Sequence, residues 1–153
     1  MGWVAGIDPG FRKGGVALIA PDGTYGVHKL PIVPDKGIDV RALFTLLDKP
    51  DVSIWIEKVG PMPRQGSVST FRFGFGLGQI MACISTLGVE PNQVLPRTWK
   101  NHWGLGKDKD ECRVLAQKKF PDIAGALKRK NSHDLAEALL IAGFGKFKQG
   151  QGL

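Results

Sequence analysis

Val52-Ser53-Ile54-Trp55-Ile56 runs almost without polar interruption into Glu57. A stretch this short, apolar and β-prone is expected of a central strand buried on both faces, and it delivers a carboxylate to the strand's end. Trp3 to Ile7 repeats the arrangement, because the turn signal Asp8-Pro9-Gly10 places Asp8 at a second strand end. Gly15 to Ala20 and Thr24 to Leu30 read as two more strands, joined through Pro21-Asp22-Gly23 as a tight hairpin. The first three strands thus form an antiparallel meander. Asp39 suits the N-cap of a helix whose apolar residues Val40, Leu43, Phe44 and Leu47 are closed off by Pro50.

After a Pro- and Gly-rich loop over 60–68, Phe73, Leu77, Ile80, Ile84 and Leu87 recur at helical spacing up to a Gly88 stop. This is the longest predicted helix, a core or dimer helix. Its Gly74, Gly76 and Gly78 are tolerable only where packing or a ligand needs the room. Gln93 to Leu95 is a short strand ended by Pro96. Asp108 and Glu111 resemble a capping box opening a helix to about Lys119, with Lys109, Arg113 and Gln117 along one face. Asn131 or Ser132 caps a final helix, HDLAEALLIAGF, and the chain from Lys146 onward reads as frayed.

The 153 residues, 42% hydrophobic, suffice for one domain over 1–153 with one sizeable core and no second full-sized domain. No apolar run nears the ~20 residues of a membrane span, and Met1-Gly2-Trp3-Val4 lacks the basic start of a secretory signal. The expectation is a soluble cytoplasmic protein with no membrane partner. Cys83 and Cys112 stand far apart without metal-ligand spacing and read as reduced thiols.

Lys and Arg outnumber Asp and Glu by 21 to 14, a net +7. Residues 97–130 carry most of that excess, with Arg97, Lys100, Lys107, Lys109, Arg113, Lys118, Lys119, Lys128, Arg129 and Lys130 against only Asp108, Asp110, Glu111 and Asp122. A solvated helix face usually interleaves both signs. This excess reads instead as the electrostatic footprint of a nucleic-acid partner.

Four carboxylates stand where a globular protein has little structural need of them: Asp8 and Glu57 at strand ends, Asp134 and Glu137 three apart on the last helix. Gathered together they would repel one another unless a cation compensates. Hard oxygen ligands suit Mg²⁺ or Mn²⁺, and two such ions ~3.5–4 Å apart can drive an in-line phosphodiester displacement. Each residue alone is open to a plainer reading. Asp8 can be a turn former, Asp134 can serve the helix dipole, and Glu137 can sit on an exposed face. His133 could assist a metal or water, or simply cap its helix. His28 and His102 have no constellation and read as structural.

Gly6-Ile7-Asp8-Pro9-Gly10, Ile56-Glu57, Arg97-x-x-Lys100 running to Gly104-x-Gly106-x-x-Lys109, and Asp134-x-x-Glu137-Ala138-Leu139, in that order over nearly the whole chain, resemble the RuvC-like Holliday junction resolvases. The resemblance implies an α/β, ribonuclease-H-like mixed five-stranded sheet, its first three strands antiparallel, flanked by helices. It implies a homodimer acting on branched DNA at a four-way junction, with no small-molecule cofactor. Asp8, Glu57, Asp134 and Glu137 become catalytic metal ligands for two Mg²⁺ ions, with Mn²⁺ as substitute. Lys100, Lys107 and Lys109 become DNA contacts, joined by Arg97 and Arg113. The segment STFRFGFGLGQ and the short chain look most like the compact phage and organellar branch, which would place the protein in a host cytoplasm if phage-encoded. Two departures stand out. The family's last carboxylate is usually Asp, whereas Glu137 is one methylene longer. An aromatic usually follows the strand-end glutamate closely, whereas Val59-Gly60-Pro61-Met62 stands here, leaving Met62, Phe71 or Phe73 to unstack bases.

The implied activity is metal-dependent, symmetric nicking of branched DNA that leaves 5′-phosphates. Three other readings compete with it: a ribonuclease H or flap nuclease of the same fold, a non-catalytic binder of branched DNA, and an actin-like ATPase fold read from the Asp8 loop. The last needs two such domains, and the chain has length for one.

Overall fold

The computed structural model describes residues 2–153. Strands β1 (Val4–Asp8), β2 (Gly15–Ile19) and β3 (Tyr25–Lys29) form the expected antiparallel meander. A two-stranded ribbon of β4 (Ile32–Val33) and β5 (Gly37–Ile38) leads into helix α1 (Val40–Leu47), where Asp39 caps by accepting from the Ala42 N–H. Then come β6 (Ser53–Glu57), α2 (Ser67–Thr86), β7 (Asn92–Val94), α3 (Pro96–His102), α4 (Lys109–Lys119) and α5 (His133–Lys148). Two 3₁₀ segments, Pro121–Leu127 and Lys130–Ser132, join α4 to α5. The sheet order is β3-β2-β1-β6-β7, with β6 parallel to β1 and β7 parallel to β6.

Alternation along the strands divides the core in two. Ile7, Val16, Leu18, Ile54 and Ile56 point to one face and pack with Leu43, Leu47, Ile80 and Ile84 of α1 and α2. Ala17, Ile19 and Trp55 point to the other face, under Trp99, Ala116, Leu139 and Ala142 of α3, α4 and α5. Strands β1 and β2 are buried throughout, whereas β6 buries Ile54 and Ile56 fully and Ser53 and Trp55 partly.

Close approach of α5 to the sheet depends on missing side chains. A Cβ on Gly6 would overlap the Ala138 carbonyl and the Ala142 amide, and a Cβ on Gly15 would overlap the Asp134 carbonyl. These glycines let α5 lie directly on β1 and β2, so its first turns reach the strand ends.

Several sequence expectations shift. Helix α2 starts at Ser67, inside the predicted loop, because its polar first turn is exposed and carries no apolar periodicity. Helix α3 is missing from the sequence reading; its seven residues, opened by Pro96, are too few to show a period. The capping box is split, since Asp108 accepts from the Asp110 N–H while Glu111 reaches past it to the Gly106 N–H. Ser132 occupies the N-cap of α5 without capping it, because its hydroxyl donates to the Arg129 carbonyl. Fraying does not begin at Lys146: that residue is buried and helical, and its carbonyl accepts from Gln149 and Gln151.

Candidate active site

Strand register puts the first two carboxylates side by side. Ile7 pairs with Ile56 across parallel β1 and β6, so Asp8 and Glu57 end neighbouring strands at one level. Each lies two residues beyond Gly6 or Trp55, which face α5, and so shares that face. From above, Asp134 in the first turn of α5 and Glu137 one turn later approach the same strand ends. Asp8 and Glu137 are each only 8% exposed.

This proximity registers in the ionisation of Asp8. Burial pushes its pKa well above the ordinary carboxylate range, and the charges of Glu137, Asp134 and Glu57 push it further, in that order. Glu57 is also raised, mainly by burial. It is partly relieved by a hydrogen bond from the Trp99 indole, whose Nε1–H donates to Oε2 at 2.8 Å, and by the positive charges of Lys100 and Lys109. None of the four carboxylates is in an ion pair; among the described residues the one such pair is Arg113 with Asp110.

Among the described residues no three Asp, Glu, His or Cys side chains close on a point as a finished ligand shell. The carboxylates form an open cluster of hard oxygen donors whose mutual repulsion has no paired internal counter-charge. That chemistry fits divalent cations with oxygen preference.

The remaining sequence candidates fall into separate groups. Arg97, Lys107 and Lys109 are exposed and Lys100 half-buried, its Nζ held 5.3 Å over the Trp99 ring. Arg113 does not join them. Its guanidinium grips Asp110 at 2.8 Å and donates to Gln117 and to the Leu127 and Lys128 carbonyls, bracing α4 against the following 3₁₀ segment. That use leaves it little of the fork needed for DNA. His133 sets Nδ1 3.1 Å from the Lys109 carbonyl oxygen, which ties α5 to α4. Met62 and Phe71 are largely exposed, on and just before α2, but Phe73 is half-buried. Phe75, not Phe73, lies beside Phe71, stacked on it with centroids 6.4 Å apart.

No family model matches the chain. Over 98% of its length it superimposes on 97% of the chain of Thermus thermophilus RuvC solved in complex with Holliday junction substrate, at TM-score 0.66 and 22% identity. It also superimposes, at TM-score 0.57 and 12% identity, on the fowlpox virus Holliday junction resolvase, covering 96% of this chain and 99% of that one. The fold is that of RuvC. It is the ribonuclease-H-like architecture expected from the ordered motifs. In sequence, 90 residues are 29% identical to the chloroplastic Holliday junction resolvase MOC1 of Chlamydomonas reinhardtii. That match covers 58% of this chain and about a tenth of the length of that relative.

On this RuvC fold, the residue most plainly missed by sequence reasoning is Trp99. Its signal was the tryptophan beside Lys100 just after a strand-ending proline, but a lone Trp reads as core until its partner is known. Arg12, Lys13 and Lys29 were also outside the sequence reading, and Arg129 entered it only as part of the basic stretch 97–130. They are scattered along the sequence and come together only when the chain folds.

Proposed function

We propose that this chain is a divalent-metal-dependent endonuclease that resolves four-way DNA junctions, working as a homodimer that brings two sites to opposing strands. The observation that carries the reading is the cluster of Asp8, Glu57, Asp134 and Glu137, unneutralised and flanked by free lysines, on a RuvC fold that spans 98% of the chain. A fold alone hosts many chemistries, so the reading rests on the cluster.

Asp8, Glu57, Asp134 and Glu137 would hold two Mg²⁺ ions, with Mn²⁺ able to replace them. Ions held there would supply water activation and charge stabilisation at the leaving oxygen. The protein's own part is positional. Strands β1 and β6 fix Asp8 and Glu57, the indole of Trp99 takes one oxygen of Glu57 and leaves the other free, and α5 sets the remaining carboxylates opposite. Lys100, Lys107 and Lys109 supply positive charge beside the cluster for the phosphodiester, with Arg97 further along α3. Phe71 and Phe75, with Met62 on the preceding loop, offer stacking surface for bases opened at the branch point. The free, buried thiols of Cys83 and Cys112 suit a reducing compartment such as the cytoplasm of a cell or infected host.

The test is cleavage of a labelled mobile four-way junction by wild type and by Asp8→Asn, in Mg²⁺ and in EDTA, beside linear duplex and RNA·DNA hybrid. Paired symmetric nicks in the junction, lost with EDTA and with the substitution while binding survives, are expected. Tight binding without cuts in Mg²⁺ or Mn²⁺ would replace the enzyme by a binding module, and faster hybrid cleavage would replace the resolvase by a ribonuclease.

A further inference from the structure

Beyond Asp134, on the side of the sheet away from α3, a cleft of ≈ 710 Å³ opens between the β1–β2 turn, the end of β3 and the 3₁₀ segment before α5. Its charged lining is Arg12, Lys13, Lys29, Lys109 and Arg129, with Asp134 as the sole carboxylate. These cations come from four separate stretches of chain, all are exposed, and none forms an ion pair. Five like charges around one cleft repel each other, and Asp134 alone among the lining residues carries the opposite sign. A surface built only for solubility interleaves both signs. This one is complementary to an anion with several charges along a line.

Strand register fixes where the cleft lies relative to the carboxylates. Asp8 sits opposite Gly15, and Gly15 opposite Lys29, so Lys29 is two strands, or ~10 Å, from Asp8 along the sheet edge. In the other direction the edge runs through Glu57 and Val94 to α3, with Arg97 and Lys100. The carboxylates therefore stand mid-edge with cations on both flanks. The lysines read from the sequence account for the α3 flank, joined at the start of α4 by Lys109, which lines both.

We infer that the cleft of Arg12, Lys13, Lys29 and Arg129 is a second phosphate-backbone site, holding the continuation of the cleaved strand on the β3 side of the cut. The inference rests on the nuclease reading above and extends it. At ~3.4 Å of rise per nucleotide in a stacked strand, ~10 Å corresponds to two or three phosphates. The contacts are to backbone and fix register on the strand without reading its sequence.

The test measures junction binding in EDTA over a salt series for wild type, Arg12→Ala/Lys29→Ala/Arg129→Ala, and the charge-conserving Arg12→Lys/Lys29→Arg/Arg129→Lys. Single neutral methylphosphonates are placed in the junction one to three nucleotides to either side of the cut. The alanine variant is expected to lose ~2–3 from the slope of log K against log salt, and the charge-conserving variant to keep the wild-type slope. Neutral phosphates on one side only should weaken wild type and leave the alanine variant indifferent. A wild type that binds with a steep slope, together with an alanine variant of unchanged slope and equal sensitivity to every neutral phosphate, would overturn the site while leaving the nuclease reading standing. A wild type that binds no junction would bring down both.

Discussion

The buried indole of Trp99 donates its N–H to Oε2 of Glu57 at 2.8 Å, and the same ring carries the Lys100 ammonium 5.3 Å above its centre. One side chain thus orients a carboxylate through its edge and a cation through its face. On the proposed metal-binding reading, fixing one oxygen of Glu57 would leave the other as the free donor. Partners of this kind beside a metal ligand are commonly worth 10–100-fold in metal affinity. Trp99→Phe keeps the ring and removes the donor, so Mn²⁺ affinity measured by calorimetric titration should fall by about that factor. Thermal stability should fall by about 2–4 kcal/mol, because the smaller ring leaves a cavity at a fully buried position as well as an unmade hydrogen bond, so affinity is compared on the folded protein. Unchanged Mn²⁺ affinity would reduce the contact to packing.

Gly15 supports the site from below. With the Asp134 carbonyl lying where a Cβ would be, Gly15→Ala must lift the first turn of α5 and carry Asp134 away from Asp8. Overpacking of this sort costs roughly 1–3 kcal/mol. Denaturant melts should show that loss, and junction cleavage should fall much further than the residual folded fraction explains. Gly23→Ala, at a hairpin position with φ of 89° and open space around it, is the control: it strains the backbone and should cost stability without a separate loss of activity.

What could be read from the sequence followed its local signals. The meander, the two strand-end carboxylates and the Asp39 cap were legible because each is written in adjacent residues: an apolar run, a turn, a capping side chain. The ordered motifs carried the fold. Trp99's role was not legible, because its partner lies 42 residues away and only the pairing of β6 with β7 brings them together. Arg113 misled for a related reason. It lies in the most basic stretch of the chain, yet a carboxylate one turn before it and two carbonyls beyond α4 absorb its guanidinium. The shift from Phe73 to Phe75 reflects the phase of α2, where residues 71 and 75 share an exposed line and 73 is turned partly toward the core.

That exposed line makes a prediction of its own. Phe71 is 75% exposed and Phe75 48%, so alanine should cost no more than about 0.5 kcal/mol at Phe71 and about 1–2 kcal/mol at the half-buried Phe75, leaving the fold intact. If the pair stacks on bases, each base lost is worth about 1–3 kcal/mol of binding. Phe71→Ala/Phe75→Ala should then weaken four-way junction binding at least several-fold while barely affecting linear duplex. Fluorescence of 2-aminopurine at the branch point should stay quenched in the variant and rise with wild type. Equal losses on both DNAs would assign the pair to another role.

The ionisation of Asp8 sets a pH dependence for the metal-free protein. Because its folded pKa is raised by burial and by Glu137, Asp134 and Glu57, the folded state binds a proton in a range where the unfolded chain has already lost it. Stability then falls with rising pH wherever the native state holds more protons. In EDTA the melting temperature should therefore climb as pH drops from neutral toward the unfolded carboxylate pKa of about 3.9, to the extent that this site governs. Glu57, raised for the same main reason, acts in the same direction. Asp8→Asn removes the charge that burial penalises and should stabilise the metal-free protein at neutral pH, flattening the pH trend. On the proposed reading Mg²⁺ should reverse the order: binding to the ionised cluster would stabilise wild type increasingly as pH rises and do little for Asp8→Asn. A metal-free wild type whose melting temperature rises from pH 5 to 8, with Asp8→Asn less stable throughout, would mean that the cluster is not electrostatically strained and that a cation is not what it lacks.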